Sequence, residues 1–250
     1  MSKKQKVIGV IPARYGSSRF RGKVLAKIAG KPMIQWVYEK ANKSKLLDEL
    51  IVAVDDKRVF ECVEGFGGKA VMTKADHQSG TDRIAEAVKN IDADIVVNIQ
   101  GDQPLLDSEM IDEAVLPLIE DTAVQMSTIK TKISEEDYLD PAVVKVVTDE
   151  NDNALYFSRS LIPYSRDNTT ISVYEHVGLY VYRKEFLFAI SKLPPSYLEK
   201  IEMLEQLRVM EKGYKIKVIE TKSKQAAGVS VDTPEDLAKV EKLIQEMNLN

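Results

Sequence analysis

The stretch Pro12-Ala13-Arg14-Tyr15-Gly16-Ser17-Ser18-Arg19-Phe20-Arg21-Gly22-Lys23 places four cations in one short loop, beside backbone N–H groups at Gly16, Ser17 and Ser18. Amides that can approach closely, combined with cations that offset developing negative charge, are what a triphosphate and a departing pyrophosphate require. Neither the P-loop nor the dinucleotide glycine spacing is present. Taken alone, such a loop is a solvated basic turn. Its position directly after the apolar run Val7–Ile11 favours the anion-binding reading.

Two aspartates could serve the same chemistry. Asp102 closes the Gln100-Gly101-Asp102-Gln103-Pro104 segment behind a second apolar run, and Asp232 precedes Thr233-Pro234. Mg²⁺ in phosphoryl chemistry is held by one or two carboxylates together with phosphate oxygens and water. Each aspartate by itself is equally a turn former or a helix cap. The segment Asp76–Arg83 is dense in hydrogen-bonding groups at the start of a helical pattern, where free amides can bind an anion or a base edge. Its plain alternative is a capped surface helix, with Ser79 and Asp82 spaced as a capping box. His77 and His176 are the only histidines and share no metal-ligand spacing, so zinc is not expected. Cys62 is the only cysteine; it excludes a disulfide within the chain and has no activating partner in sequence.

The elements that must hold these residues alternate. Val7–Ile11, Leu50–Val54, Ala70–Met72 and Ile95–Ile99 read as short apolar strands, interleaved with helical patterns at Met33–Asn42, Lys57–Glu64, Ser79–Asn90 and Asp107–Glu120. Near-continuous apolar strands alternating with helices predict an α/β fold with a mostly parallel sheet covered on both faces. Ligands in such folds lie beyond the carboxyl ends of the strands, which singles out Pro12–Lys23, Asp55 and Gln100–Pro104. The second half reads differently. Val143–Thr148 and Ala154–Phe157 flank the turn cluster Asp149–Asn153 as a hairpin, followed by a strand at His176–Tyr182. One helix is expected over Leu198–Glu211, stopping at Gly213, then a strand at Lys215–Ile219 and a last helix opened by Thr233-Pro234-Glu235-Asp236. The whole chain, 1–250, reads as one domain with a small β-rich insertion at roughly 130–185.

Composition narrows the function classes. The chain has 250 residues, 44% hydrophobic and 30% charged, with a formal net charge of −4. That is a globular composition without the basic excess of a nucleic-acid binder. No apolar run reaches the ~18 residues of a membrane span, and Val7–Ala13, broken by Pro12, is too short for a signal-peptide core. A reducing, cytoplasmic setting is the expectation.

Taken in order along the chain, several motifs resemble the 3-deoxy-manno-octulosonate (Kdo) cytidylyltransferase family. They are Ile-Pro-Ala-Arg-Tyr at 11–15, Gly-Lys at 22–23, Gly-Lys-Pro-Met-Ile at 30–34 and Asp-His-Gln-Ser-Gly-Thr-Asp-Arg at 76–83. They continue with Val-Asn-Ile-Gln-Gly-Asp at 97–102, Ala-Leu-Tyr-Phe-Ser-Arg at 154–159, Glu-Met-Leu-Glu-Gln-Leu-Arg at 202–208 and Val-Asp-Thr-Pro-Glu-Asp-Leu at 231–237. The resemblance implies a Rossmann-like nucleotidyltransferase fold and transfer of CMP from CTP to Kdo, with release of pyrophosphate. It further implies a homodimer, a Mg²⁺ cofactor and a place in lipopolysaccharide biosynthesis. Residue by residue, it implies that Arg14, Lys23 and Asp102 are catalytic. Ala13, Arg14, Gly16, Ser17, Ser18, Lys23, Ser79 and Gln100 would bind CTP. Gln100, Arg159, His176, Tyr180, Glu205 and Gln206 would surround the sugar, and Asp102 and Asp232 would hold the metal. The insertion would contribute to sugar binding and dimerisation.

The chain departs from the family pattern at Phe20, Arg21 and Val24, where Leu-Pro and a Pro are usual, and at Glu175, where a basic residue is usual. A carboxylate beside the sugar-binding histidine leaves open a sugar carrying an amine, the 8-amino analogue of Kdo, or another acid sugar. A non-catalytic nucleotide-sugar binding protein is the alternative of another class, and retention of Lys23, Asp102 and Asp232 weighs against it.

Overall fold

The computed structural model describes residues 4–16, 20–167, 169–223 and 230–246. Three apolar runs become adjacent parallel strands, β1 (Val7–Ala13), β4 (Glu49–Val54) and β6 (Ile95–Asn98), with two short strands, β2 (Lys27–Ile28) and β3 (Lys31–Pro32), forming a separate ribbon. β5 (Ala70–Met72) extends the parallel set beside β4. The helices α1 (Met33–Ala41), α2 (Lys57–Gly65), α3 (Gly80–Ala87) and α4 (Ser108–Glu120) connect them. The N-caps Asp56, Ser79 and Asp107 each accept a backbone N–H from the first turn of the following helix, so α2, α3 and α4 start where their sequences say they should.

The remaining strands are β7 (Met126–Lys132), β8 (Lys145–Thr148), β9 (Ala154–Ser158), β10 (Tyr174–Arg183) and β11 (Lys217–Glu220), with helices α5 (Lys184–Ile190), α6 (Tyr197–Glu202), α7 (Gln206–Glu211) and α8 (Pro234–Glu246). The central sheet runs β11-β7-β10-β6-β1-β4-β5. Along this path β10 is antiparallel to both β6 and β7, while the other pairings are parallel. The α/β class and mainly parallel sheet expected from the sequence are what the chain adopts. The stretch 130–185 divides: β8 and β9 form the hairpin, off the main path, whereas β10 is a central strand.

Period-two alternation distributes the strands' side chains to both faces. Val7, Ile11, Val52, Val54, Ile95 and Val97 join the core that includes buried residues of α1, α4 and α8. Ile8, Val10, Ile51, Ala53 and Val96 join the opposite core with residues of α3, α5 and α7. Both faces are dry, so the runs read as continuously apolar. Among the described residues no helix is long and apolar enough to cross a membrane.

One expected element is corrected. Leu198–Glu211 is not a single helix: α6 ends at Met203, which takes a left-handed conformation (φ 53, ψ 46), and α7 starts afresh at Gln206. Such a conformation costs roughly 1–2 kcal/mol for a non-glycine residue. The break lets Leu204 and Leu207 enter the core, while Arg208 folds back to hold Glu199 at 2.5 and 2.8 Å. Met203 itself is 76% exposed.

Candidate active site

The carboxyl ends of β1 and β6 meet almost backbone to backbone. A Cβ added at Gly101 would stand 2.9 Å from the Pro12 carbonyl oxygen, so only glycine lets the segment after β6 pass there. Asp102 follows directly. Its carbonyl accepts the Val231 N–H at 2.9 Å, which brings Asp232 alongside. Lys23 reaches the pair from the opposite side. Gly22, at φ 72, donates its N–H to the Tyr15 carbonyl and closes the loop between them. Lys23 opens the short turn that follows. Its ammonium donates to Asp102 Oδ2 at 2.8 Å, Asp232 Oδ1 at 2.9 Å and the Val231 carbonyl at 3.1 Å. Burial alone would lower the lysine pKa, but Asp102 and then Asp232 outweigh it and hold the ammonium above its ordinary value.

This cluster lines a cavity of about 300 Å³, with Arg14, Ser79, Arg83 and Gln100 also on its walls. Ala13 ends β1, buried and in register with Val54. Arg14 lines this cavity while exposed to solvent, and Gly16, also exposed, does not line it. Ser79 contributes through the α3 N-terminus, where its side chain accepts the Asp82 N–H at 3.1 Å. Ser17 and Ser18 lie outside the described residues.

A second cavity, of about 330 Å³, shares Gln100 with the first and is lined by His176, Tyr180, Glu205 and Gln206. Gln100 is oriented by donating to the Gly178 carbonyl at 2.8 Å. His176 is buried, and desolvation pushes its pKa down to about 3, so its imidazole is neutral. Tyr180 donates to Gln206 Oε1 at 3.1 Å. Glu205 accepts from Thr81 at 3.0 Å; burial raises its carboxyl pKa, with the Thr81 hydroxyl pulling the other way. The structure does not bring Arg159 onto either wall. Its guanidinium donates to the Glu202 and Pro141 carbonyls, each at 2.8 Å, clamping the end of α6 to the loop before β8. Glu175 does line the second cavity. Burial, reinforced by Asp137 and countered by Lys145, pushes its pKa up to about 7.

Two carboxylates facing one ammonium form a donor set that suits a divalent cation completed by phosphate oxygens and water. Among the described residues no group of three or more His, Cys, Asp or Glu is placed to form an all-protein cage. Asp102 and Asp232, which hold the Lys23 ammonium between them, are the residues that could hold such a cation.

Residues 8–216 match the protein family described as Cytidylyltransferase. A 3-deoxy-manno-octulosonate cytidylyltransferase from Geotalea daltonii is 52% identical over 247 residues, spanning 94% of this chain and 96% of the relative. The chain belongs to the 3-deoxy-manno-octulosonate cytidylyltransferase family. A namesake from Syntrophus aciditrophicus is likewise 52% identical, covering 96% of this chain and 98% of that one. A solved structure named CMP:2-keto-3-deoxy-manno-octonic acid synthetase complexed with CTP superposes with a TM-score of 0.92 at 45% identity, over 97% of this chain and 99% of that one. A 4-diphosphocytidyl-2C-methyl-D-erythritol synthase from Anaerococcus prevotii, 15% identical with a TM-score of 0.63 over 96% of this chain and 99% of that one, shares the fold.

Two residues that support this cytidylyltransferase site carry little or no signal of their role in sequence. Asp55, flagged only by its place after β4, accepts the Tyr15 N–H at 2.9 Å and the Arg83 guanidinium at 3.0 Å. It thereby ties the start of the basic loop to a wall of the first cavity. Thr128, in the middle of β7, gives no signal in sequence, because a threonine in a strand is ordinary.

Proposed function

We propose that the chain transfers CMP from CTP to 3-deoxy-manno-octulosonate and releases pyrophosphate. The observation that carries this reading is the meeting of two cavities at Gln100, with the Lys23–Asp102–Asp232 cluster on the first and the hydrogen-bonding His176, Tyr180 and Gln206 on the second. The first suits a triphosphate and the second a polyhydroxylated acid. In this arrangement the C2 hydroxyl of the sugar attacks the α-phosphorus in line and pyrophosphate leaves toward Arg14 and Lys23. Holding both partners in one geometry, with charge preplaced for the leaving group, supplies the rate without a covalent intermediate. Mg²⁺ on Asp102 and Asp232 would neutralise phosphate charge and polarise the reacting phosphoryl group. The neutral His176, Tyr180 and Gln206 orient the sugar hydroxyls, and Gln100 keeps the two substrates in register across the shared wall.

The reading extends to a homodimer in the cytoplasm serving lipopolysaccharide biosynthesis. Leu161 and Ile162 are half-buried and available to such an interface, whereas Val173 fills the local core. Sedimentation of the purified protein tests the dimer. Glu175 on the second cavity favours a second substrate, the 8-amino analogue, whose ammonium would keep that half-buried carboxylate charged. Pyrophosphate release with CTP and Mg²⁺, offering Kdo and the amino sugar in parallel with UTP and EDTA controls, decides between them. Turnover with neither sugar would refute the proposal.

A further inference from the structure

The hydrogen-bond polarity of the second cavity can be worked out from one threonine. Pairing of β10 with β7 shifts register between Val177 and Tyr180. At this irregularity the Thr128 hydroxyl lies 2.6 Å from the Leu179 carbonyl, 3.2 Å from the Val177 carbonyl and 2.9 Å from His176 Nε2. A hydroxyl has one hydrogen. Both carbonyls can only accept, and the 2.6 Å contact with Leu179 places two oxygens too close to stand without a proton between them. Thr128 therefore donates to the backbone, and the His176 contact must be filled from the other side, by Nε2–H donating to Thr128.

This fixes the tautomer. With the proton on Nε2, Nδ1 of the neutral ring is a bare acceptor. It faces the Gln206 side-chain amide nitrogen at a long 3.5 Å, so Gln206 turns its NH₂ toward the imidazole and its Oε1 toward the Tyr180 hydroxyl, 3.1 Å away. The order is then directional throughout: Tyr180 to Gln206, Gln206 to His176, His176 to Thr128, Thr128 to the backbone. Phe157 stands edge-on to the imidazole at 4.8 Å and helps hold the ring in place. Tyr180, having spent its only hydrogen, meets the cavity as an acceptor, and Gln206 keeps its second amide hydrogen as a donor.

We propose that Thr128 is a positioning residue that selects the Nε2–H tautomer of His176, thereby setting the donor–acceptor pattern that Gln206 and Tyr180 present to the sugar acid. The inference rests on the second cavity being the sugar site. Thr128 does not line it and touches no substrate; it acts through the imidazole. Without its hydroxyl, the ring can take its proton on Nδ1. Gln206 must then rotate its oxygen toward the ring and its NH₂ toward Tyr180, exchanging donor for acceptor across the cavity.

The experiment combines Thr128→Val, which is close in shape, with Thr128→Ser, which restores the hydroxyl. Long-range ¹H–¹⁵N spectra of the substrate-free protein read the His176 tautomer directly, with His77→Gln assigning the two histidines. We expect wild type and Thr128→Ser to show a protonated Nε2 and a bare Nδ1, and Thr128→Val to show a mixture or the other tautomer. In steady-state assays Thr128→Val should raise KM for the sugar about tenfold and leave KM for CTP within twofold, with Thr128→Ser close to wild type. A wild-type His176 protonated on Nδ1 would overturn the proposal, and this needs no variant to fold. So would equal rises in both KM values, or failure of Thr128→Ser to rescue. The Nε2–H tautomer in a protein that turns over neither sugar would support the relay and sink the functional reading instead.

Discussion

Replacing Lys23 with methionine separates two roles that the structure gives to one side chain. The ammonium lies 2.8 and 2.9 Å from Asp102 and Asp232, with only 14% of the lysine side chain exposed. At an effective dielectric of ~20 each contact corresponds to about 6 kcal/mol of direct Coulomb attraction. Desolvation offsets most of that, leaving about 1.5–3 kcal/mol as the net hold on the two carboxylates. A divalent cation arriving without nucleotide has to displace this ammonium. In Lys23→Met that ammonium is gone, and Asp102 and Asp232 lose the positive charge it supplied. Mn²⁺ binding to the substrate-free protein, followed by electron paramagnetic resonance, should therefore tighten by roughly 10–100-fold, since each 1.4 kcal/mol is a factor of ten. The same substitution removes a charge preplaced for the leaving pyrophosphate and should lower kcat by about 10²–10³-fold. Tighter metal with slower turnover is the signature. Unchanged or weaker Mn²⁺ binding by a folded Lys23→Met protein would refute the reasoning.

Three other outcomes follow from the same geometry. Asp55 and Arg83 form a buried pair, with side chains 10% and 4% exposed, so Asp55→Ala should cost about 3–5 kcal/mol in urea unfolding; a loss below about 1 kcal/mol would show that the pair is not the brace described. His176 is neutral when folded, with its pKa depressed to about 3, so its contribution is present above pH 6.5 and is lost as pH falls from there toward 3. Relative to His176→Asn, wild-type stability should fall by up to about 1.4 kcal/mol per pH unit between pH 6 and 4, and parallel curves would contradict the burial argument. Glu175 has the opposite sign: with its folded pKa raised to about 7, its contribution is present below about pH 4.5 and declines as pH rises to 7. Glu175→Gln should match wild type near pH 4.5 and be about 3 kcal/mol more stable at pH 8, by chemical denaturation at the two pH values.

The parallel half of the fold was legible because its signals are local. β1, β4 and β6 are buried on both faces and read as apolar runs, β5 at the sheet edge is partly exposed, and the basic loop with Lys23 and the Gly101-Asp102 pair come just after β1 and β6 in sequence. The second cavity was legible only as a family pattern. Its walls come from β10, the segment around Met203 and α7, brought together by contacts across more than twenty residues, such as Tyr180 with Gln206. The split of the predicted Leu198–Glu211 helix escaped notice because its composition is helical throughout. Tertiary packing of Leu204, Leu207 and Arg208 overrides that propensity. Arg159 shows the same limit: an arginine beside a candidate sugar site suggests a ligand contact, and only the positions of Glu202 and Pro141 reveal what its guanidinium holds in the free protein.

The reversed strand β10 has a consequence for how the site can change. Its seam with β6 aligns Tyr180 with Asn98, two residues before Gln100, so the spacing between the two cavities is gauged by a ladder of backbone hydrogen bonds rather than by a hinge. Side chains along such a ladder are interchangeable parts. Its count is not. A single residue inserted or deleted in β10 ahead of Tyr180 would turn the following side chains to the opposite face and carry the wall of the second cavity away from the first. New substrate preferences on this scaffold therefore have to arise by substitution within β10 and α7, while changes of length are absorbed in the β8–β9 hairpin, outside the gauge.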